Sequence, residues 1–291
     1  MRHLVCVLTV VLWGAALPAW AEPALRLVST VTWEGEGSWF GGFSGLELSP
    51  DGREMTVLSD RGTLVQVNLI RDNGIIQALD PQRYNSFFDQ DGSALGSDFR
   101  DVEGLAISQD GMAYVSFEHA HRIAKLNIQS GRTQDLPGHP DFAKLSENTG
   151  LEALAIHPDG RLFTLSEAAA DESGTTPLYT YDKGRWQISH RVPLPGPFRP
   201  VGADFDDLGR MYLLERAVTP LGFRSRIRRL DLNASPLKAE TLLTSFPAAF
   251  DNLEGISVWQ DQTGATRLTL ISDDNFFSLQ TTQIVEFALT E

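Results

Sequence analysis

The chain has 291 residues, with 24 basic against 38 acidic side chains and a formal net charge of −14. A field of that sign repels phosphate backbones and anionic lipid, which argues against nucleic acid and membrane partners, and it repels a free polyanionic substrate unless a bound cation reverses the local sign. The single cysteine, Cys6, falls in the leader, so the remainder of the chain has no disulfide, thiolate nucleophile or cysteine metal ligand.

Arg2 and His3 make a short basic start, an apolar run follows from Leu4 to Leu17, and Ala19-Trp20-Ala21 has the small-x-small pattern of a cleavage site. This predicts a signal peptide over residues 1–21, a mature chain beginning at Glu22 as one domain over 22–291, and a periplasmic or secreted location. An apolar run of about 14 residues is too short for a bilayer core that needs about 20. Loss of Arg2 with the leader takes the charge to about −15.

After a strand near Leu25–Trp33, one motif recurs five times. Its copies are Phe43-Ser-Gly-Leu-Glu-Leu-Ser-Pro-Asp-Gly52, Val102-Glu-Gly-Leu-Ala-Ile-Ser-Gln-Asp-Gly111 and Leu151-Glu-Ala-Leu-Ala-Ile-His-Pro-Asp-Gly160, then the weaker Val201-Gly-Ala-Asp-Phe-Asp-Asp-Leu-Gly209 and Leu253-Glu-Gly-Ile-Ser-Val-Trp-Gln-Asp261. Each reads as a short alternating strand running into a turn, with Pro presetting φ and Gly accepting positive φ. Second strands follow at Met55–Ser59, Ala113–Phe117, Leu162–Ser166, Met211–Leu214 and Leu268–Ser272, and further strands complete each unit. The copies lie 49 to 59 residues apart, the size of a four-stranded propeller blade. The expected fold is therefore an all-β propeller of about five four-stranded blades, its ring closed by the N-terminal strand pairing with the C-terminal blade. Six blades is the alternative, if one copy of the motif has been lost around Asp72–Phe99.

Acids recur at one edge of every unit. First strands open with Ser44, Glu103, Glu152, Gly202 or Glu254, and second strands close with Asp60, Glu118, Glu167, Glu215 or Asp273. In an antiparallel pair these two ends are neighbours, so both sets are expected around the mouth of the central channel. Glu103 is in phase with Leu105 and Ile107, and Glu254 with Ile256 and Val258, which turns these carboxylates toward packed surface. A buried, unpaired carboxylate costs several kcal/mol, so compensation is required. Three kinds are open: pairing with Arg61, Arg100, Arg122, Arg216 or His119; a hard cation such as Ca²⁺, which takes six to eight oxygen ligands and would be served by these acids with Asp101, Asn148, Asp251, Asn252, Asp274 and Asn275; or a raised pKa.

Other catalytic signatures are absent. Gly41-Gly-Phe-Ser-Gly45 has the wrong spacing for a nucleophile elbow, and there is no zinc helix or phosphate loop. His119 and His121 fit either a loop or a metal or proton role. Trp33, Trp39, Phe40 and Phe43 fit blade packing or a ligand wall.

Arg100-Asp-Val-Glu-Gly104, Gly150-Leu-Glu-Ala153, Leu214-Glu-Arg216 with Arg226-Ile227, and Asp251-Asn-Leu-Glu-Gly-Ile256 together resemble the family called "esterase-like activity of phytase". Leu58-Ser-Asp-Arg61 and Ile271-Ser-Asp-Asp-Asn275 extend the resemblance, which runs from about Leu25 to Leu289. Ser44 and Gly202 depart from its repeated Glu-Gly. The resemblance implies an exported propeller and hydrolysis of a small-molecule phosphoester or carboxyl ester. On that reading Glu103, Glu152, Glu254, Asp60 and Asp273 hold a divalent cation, most plausibly Ca²⁺. Arg61, Arg100 or Arg216 stabilises developing negative charge, and Glu118, Glu167 or Glu215 is the general base. The competing reading is a non-catalytic binding propeller whose acids pair with arginines or hold a structural ion.

Overall fold

The turn after each repeat motif sets the direction of the chain. Gly52, Gly111, Gly160, Gly209 and Gly264 all have positive φ, between 66° and 89°. Each donates its N–H to the carbonyl three residues back, at 2.8 or 2.9 Å. Only glycine takes that φ without steric cost, so the same hairpin forms five times. The computed structural model describes residues 23–96, 101–146, 149–168 and 171–290.

The described residues form five four-stranded antiparallel sheets. Blade 1 comprises β2 (Phe43–Leu48), β3 (Glu54–Ser59), β4 (Thr63–Asp72) and β5 (Ile75–Ser86). Blade 2 comprises β6 (Val102–Ile107), β7 (Ala113–Phe117), β8 (Arg122–Leu126) and β9 (Thr133–Asp135), and blade 3 β10 (Ala153–Ile156), β11 (Leu162–Leu165), β12 (Thr175–Asp182) and β13 (Arg185–Pro193). Blade 4 comprises β14 (Arg199–Phe205), β15 (Met211–Thr219), β16 (Gly222–Asp231) and β17 (Lys238–Thr244). In blade 5, β18 (Asn252–Gln260), β19 (Thr266–Asp273) and β20 (Gln283–Thr290) are completed by β1 (Ala24–Thr32), which pairs antiparallel with β20. The N-terminal strand therefore closes the ring as expected.

The six-blade alternative is excluded. The long first interval is filled by the extended β4–β5 hairpin and a loop in which Phe88 bridges Ala94 and Arg132, so its extra residues cap blades 1 and 2 instead of building another sheet.

The innermost strands β2, β6, β10, β14 and β18 pack in that order around the axis, and β18 returns to β2. Hydrophobic clusters fill the spaces between blades. Leu58, Leu64, Val102, Leu105, Val115 and Phe117 join blades 1 and 2, and Tyr212, Leu214, Ile227, Ile256, Leu268 and Phe287 join blades 4 and 5. At the closing seam Trp33 stacks on Phe43 at 5.0 Å, and Phe40 meets both rings edge-on. Trp33, Phe40 and Phe43 thus pack the seam, in the space a ligand wall would need. The signal peptide expected over residues 1–21 lies outside the described residues.

Candidate functional site at the channel mouth

A backbone irregularity places the acids. Phe43 pairs with Ser59 but Gly45 with Leu58; Pro200 pairs with Glu215 but Gly202 with Leu214; Leu253 pairs with Ser272 but Gly255 with Ile271. One residue is skipped in each inner strand, namely Ser44, Val201 and Glu254, and the shift in blade 2 falls between Val102 and Leu105, across Glu103. A bulge re-aims the extra side chain, so these acids are not in phase with Leu105 or Ile256 as simple alternation predicts. The glycine that follows is required by crowding. A Cβ on Gly104 would stand 2.7 Å from the Glu152 carbonyl oxygen, and one on Gly255 3.0 Å from the Leu46 nitrogen. Glu-Gly therefore encodes a carboxylate at a bulge and a close approach of the next blade.

The same register corrects two alignments made from sequence. In blade 4 the bulge residue is Val201, not Gly202, and Glu215 occupies the position of Ser59 and Ser272 while Arg216 occupies that of Asp60 and Asp273. Glu215 does not join the mouth. It is fully buried, accepting hydrogen bonds from Arg226 Nε at 2.5 Å and from Arg228 Nε and Nη2 at 2.8 and 2.6 Å.

The remaining acids converge. Glu103, on blade 2, has as electrostatic neighbours Glu254 of blade 5, Asp101 and Glu118 of its own blade, and Asp60 of blade 1. Glu152 of blade 3 has Glu103, Glu167 and Glu254 as acidic neighbours with Arg216 opposing them, and Asp273 has Glu254, Asp60 and Asp274. Burial, reinforced by these like charges, pushes Glu103 and Glu152 well above the usual carboxylate range. Burial first, then Asp101, raises Asp60 to about 7, against the pull of Arg61. Burial and Glu254 raise Asp273 to about 8, although Asp273 accepts the Asn275 N–H at 2.7 Å. Glu118 is also raised, by burial and then Asp101, while Gly150 N–H donates to it at 3.4 Å.

One arginine enters this ring. Arg216 Nη2 donates to Glu167 at 2.7 Å, and Nη1 donates to Asn252 Oδ1 at 2.8 Å and to Glu254. Burial alone would lower its pKa, but Glu254, Glu152 and Glu167 outweigh that and raise it, so the guanidinium stays charged. Glu254 is raised by burial, with Arg216 and Asn252 holding it back. Arg61 lies elsewhere on the rim, its guanidinium 3.2 Å from the centroid of Phe276. Arg100 lies outside the described residues. The side chains of Glu103 and Glu152 have no hydrogen bond or ion pair among the described residues, and His119 Nε2 sits 3.0 Å from Asp101 beside Glu118, close enough for one ion to reach all three.

Two residues beyond Gly45, Gly104, Ala153, Gly202 and Gly255 the inner strands carry Glu47, Ala106, Ala155, Asp204 and Ser257, a second layer that the motif alignment overlooked. Glu47 accepts the Ile107 N–H and the Ser257 hydroxyl, each at 3.2 Å; Asp204 accepts the Val258 N–H at 2.6 Å; Ser257 accepts the Leu48 N–H at 3.0 Å. Each side chain caps an edge N–H of the next blade, satisfying donors that an inner strand leaves unpaired. Burial, then Asp204, pushes Glu47 well up, and burial raises Asp204 to about 7. These are inter-blade latches, marked in sequence only by polar residues at one strand offset.

The chain belongs to the phytase-like family described as "esterase-like activity of phytase", which it matches over residues 38–276. No curated protein matches it. Among solved structures it is similar to the PQQ-bound aldose sugar dehydrogenase of Streptomyces coelicolor, at 13% identity and a TM-score of 0.52, over 92% of this chain and 99% of that one. That likeness extends to the fold alone. Virginiamycin B lyase from Staphylococcus aureus matches at 12% identity and a TM-score of 0.42, over 93% of this chain and 100% of that one.

Proposed function

We propose that this member of the phytase-like family is an exported hydrolase of a small-molecule phosphoester or carboxyl ester, with the ring of acids at the channel mouth as its reaction centre and a divalent cation as its cofactor. The observation that carries the reading is the convergence of Asp60, Asp101, Glu103, Glu118, Glu152 and Asp273 from four blades into one cluster of mutually interacting acids. Among the described residues, the arginine within that ring, Arg216, is committed to Glu167 and Glu254. The donor set is almost entirely carboxylate oxygen, which suits a hard ion such as Ca²⁺. Glu103, Glu152, Asp60 and Asp273 would hold it, while Glu254, assigned to the cation from sequence, instead anchors Arg216.

When bound, such a cation supplies Lewis acidity and lowers the pKa of a nearby water. The chain's own residues do the rest. Glu118 is the general base, since Glu215 is sealed between two arginines and Glu167 holds Arg216. It takes the proton of the attacking water and returns it to the departing alcohol as the ester bond breaks. Arg216, fixed by two carboxylates and Asn252, offers positive charge at a defined point of the mouth, and Arg61 offers it from the rim. A leader at residues 1–21 would place this chemistry in the periplasm or the medium.

The commitment of Arg216 to acids favours a second reading, a binding propeller without chemistry. Purified mature protein, titrated with Ca²⁺ and then assayed on 4-nitrophenyl phosphate and 4-nitrophenyl acetate, separates the two. Ca²⁺-dependent turnover lost in Glu152→Gln and Glu118→Gln is the expected result. Intact folding with neither ion binding nor turnover would favour the binding propeller.

A further inference from the structure

Beside the acid ring, three loops of blades 4 and 5 hold large apolar side chains out to solvent. Val218, Leu221, Phe246 and Leu279 are each at least 74% exposed, and Phe277 is 55% exposed. Hydrogen bonds tie these segments to one another. Ala248 N–H donates to Phe223 O at 2.9 Å, Arg224 Nε to Ser245 O at 3.0 Å, and Thr281 N–H to Asp251 at 2.7 Å. Ala248, Asn275 and Phe276 have φ of 54°, 48° and 49°. A bulky phenylalanine in the left-handed region is costly and persists only where its surroundings impose it, a pattern that concentrates at functional sites. The same segments run directly into the mouth: Arg216 precedes Val218, Asn252 and Glu254 follow the loop carrying Phe246, and Asp273 and Asp274 precede Phe277 and Leu279. Phe276 itself packs against Gly42 and under Arg61 beside Asp60.

An apolar patch rimmed by polar groups marks a binding surface, and here it is continuous with the acid ring on the same loops. We infer that this crescent seats the apolar acyl chain of an amphiphilic ester whose polar end enters the acid ring. The inference rests on the mouth being the substrate site and names the substrate class for it. The charge of the chain disfavours an anionic lipid surface as the occupant, and the attachment of Val218, Phe246 and Leu279 to segments that carry Arg216, Glu254 and Asp273 suits a small molecule that spans both.

The test uses 4-nitrophenyl alkyl ethers, which cannot be hydrolysed, alongside the matching 4-nitrophenyl acyl esters. Association of ethyl, butyl and hexyl ethers, measured by calorimetry, should strengthen about two- to fourfold per methylene. The series should go flat in a Phe246→Ser, Leu279→Ser double variant whose thermal midpoint is unchanged, because both residues are exposed. A wild-type series that is flat, or one equally steep in the variant, overturns the proposal. So does failure of the ethers to bind while phosphatidylcholine vesicles or a second copy of the chain cover the crescent, read by co-sedimentation and analytical ultracentrifugation. Chain-length-dependent ether binding without ester turnover sinks the hydrolase reading and leaves this one standing; turnover with no chain-length dependence does the reverse.

Discussion

Two populations of buried carboxylate coexist in this propeller. Glu215 and Glu286 are fully buried and generously paired. Glu215 receives Arg226 and Arg228, and Glu286 receives both terminal nitrogens of Arg71 at 2.7 and 2.8 Å together with the Thr269 hydroxyl at 2.9 Å. At the mouth, Glu103 and Glu152 are surrounded by other acids, and Arg216, the arginine beside Glu152 among the described residues, is engaged by Glu254 and Glu167. The scaffold thus supplies arginines where a carboxylate serves the fold. Among the described residues Glu103 and Glu152 lack such pairing at the axis, and under the proposed function they are groups kept for a ligand, because unpaired burial is otherwise selected against by its cost.

The comparison breaks most sharply at Glu215. Glu215→Gln keeps the volume but leaves two buried guanidinium groups uncompensated, and should cost about 3–5 kcal/mol in urea unfolding. A loss below about 1 kcal/mol would show that pairing does not distinguish the two populations. Gly104→Ala comes next. Its methyl meets the Glu152 carbonyl and the Leu154 side chain at 2.7 Å, so separating blades 2 and 3 should cost about 1–3 kcal/mol and weaken cation binding with it.

A smaller effect has the opposite sign. Asp60 and Asp273 titrate at about 7 and 8 in the folded protein and near 4 when unfolded, so the folded state keeps protons the unfolded chain has released. Stability of the cation-free protein should therefore be greatest below about pH 4 as far as these groups are concerned, and fall as pH rises toward 8. Glu103→Gln removes one like charge from the ring. It should stabilise the cation-free protein by about 1 kcal/mol at pH 8 and have little effect at pH 5, a pattern that thermal scans at both pH values would reveal.

Much of this was legible in the residues. The repeated hairpin, its Asp-Gly turns and the N-terminal strand that closes the ring follow from local chemistry that needs no tertiary context. The site was legible only to within one residue. Because β14 carries a bulge, as β2, β6 and β18 do, aligning Gly202 with Glu103 slipped blade 4 by one position, which placed Glu215 where Arg216 stands and exchanged an acid for a base. In blade 4 the bulge residue is Val201, without the Glu that marks it in blades 2 and 5, and a one-residue slip turns a side chain to the opposite face. The latch formed by Glu47, Asp204 and Ser257 was hidden for another reason: its partners are backbone N–H groups of neighbouring blades, which sequence spacing does not bring together.

The central claim is that the unmatched acids at the mouth are held for a cation. Calorimetric titration of the cation-free protein with Ca²⁺ at pH 6, 7 and 8, in buffers of different ionisation enthalpy, tests it directly. The account predicts one site whose affinity rises with pH, protons released on binding as Asp60 and Asp273 ionise, and loss of the site in Glu103→Gln with Glu152→Gln. Binding heats absent at every pH, or a site that survives the double substitution with no proton release, would contradict it.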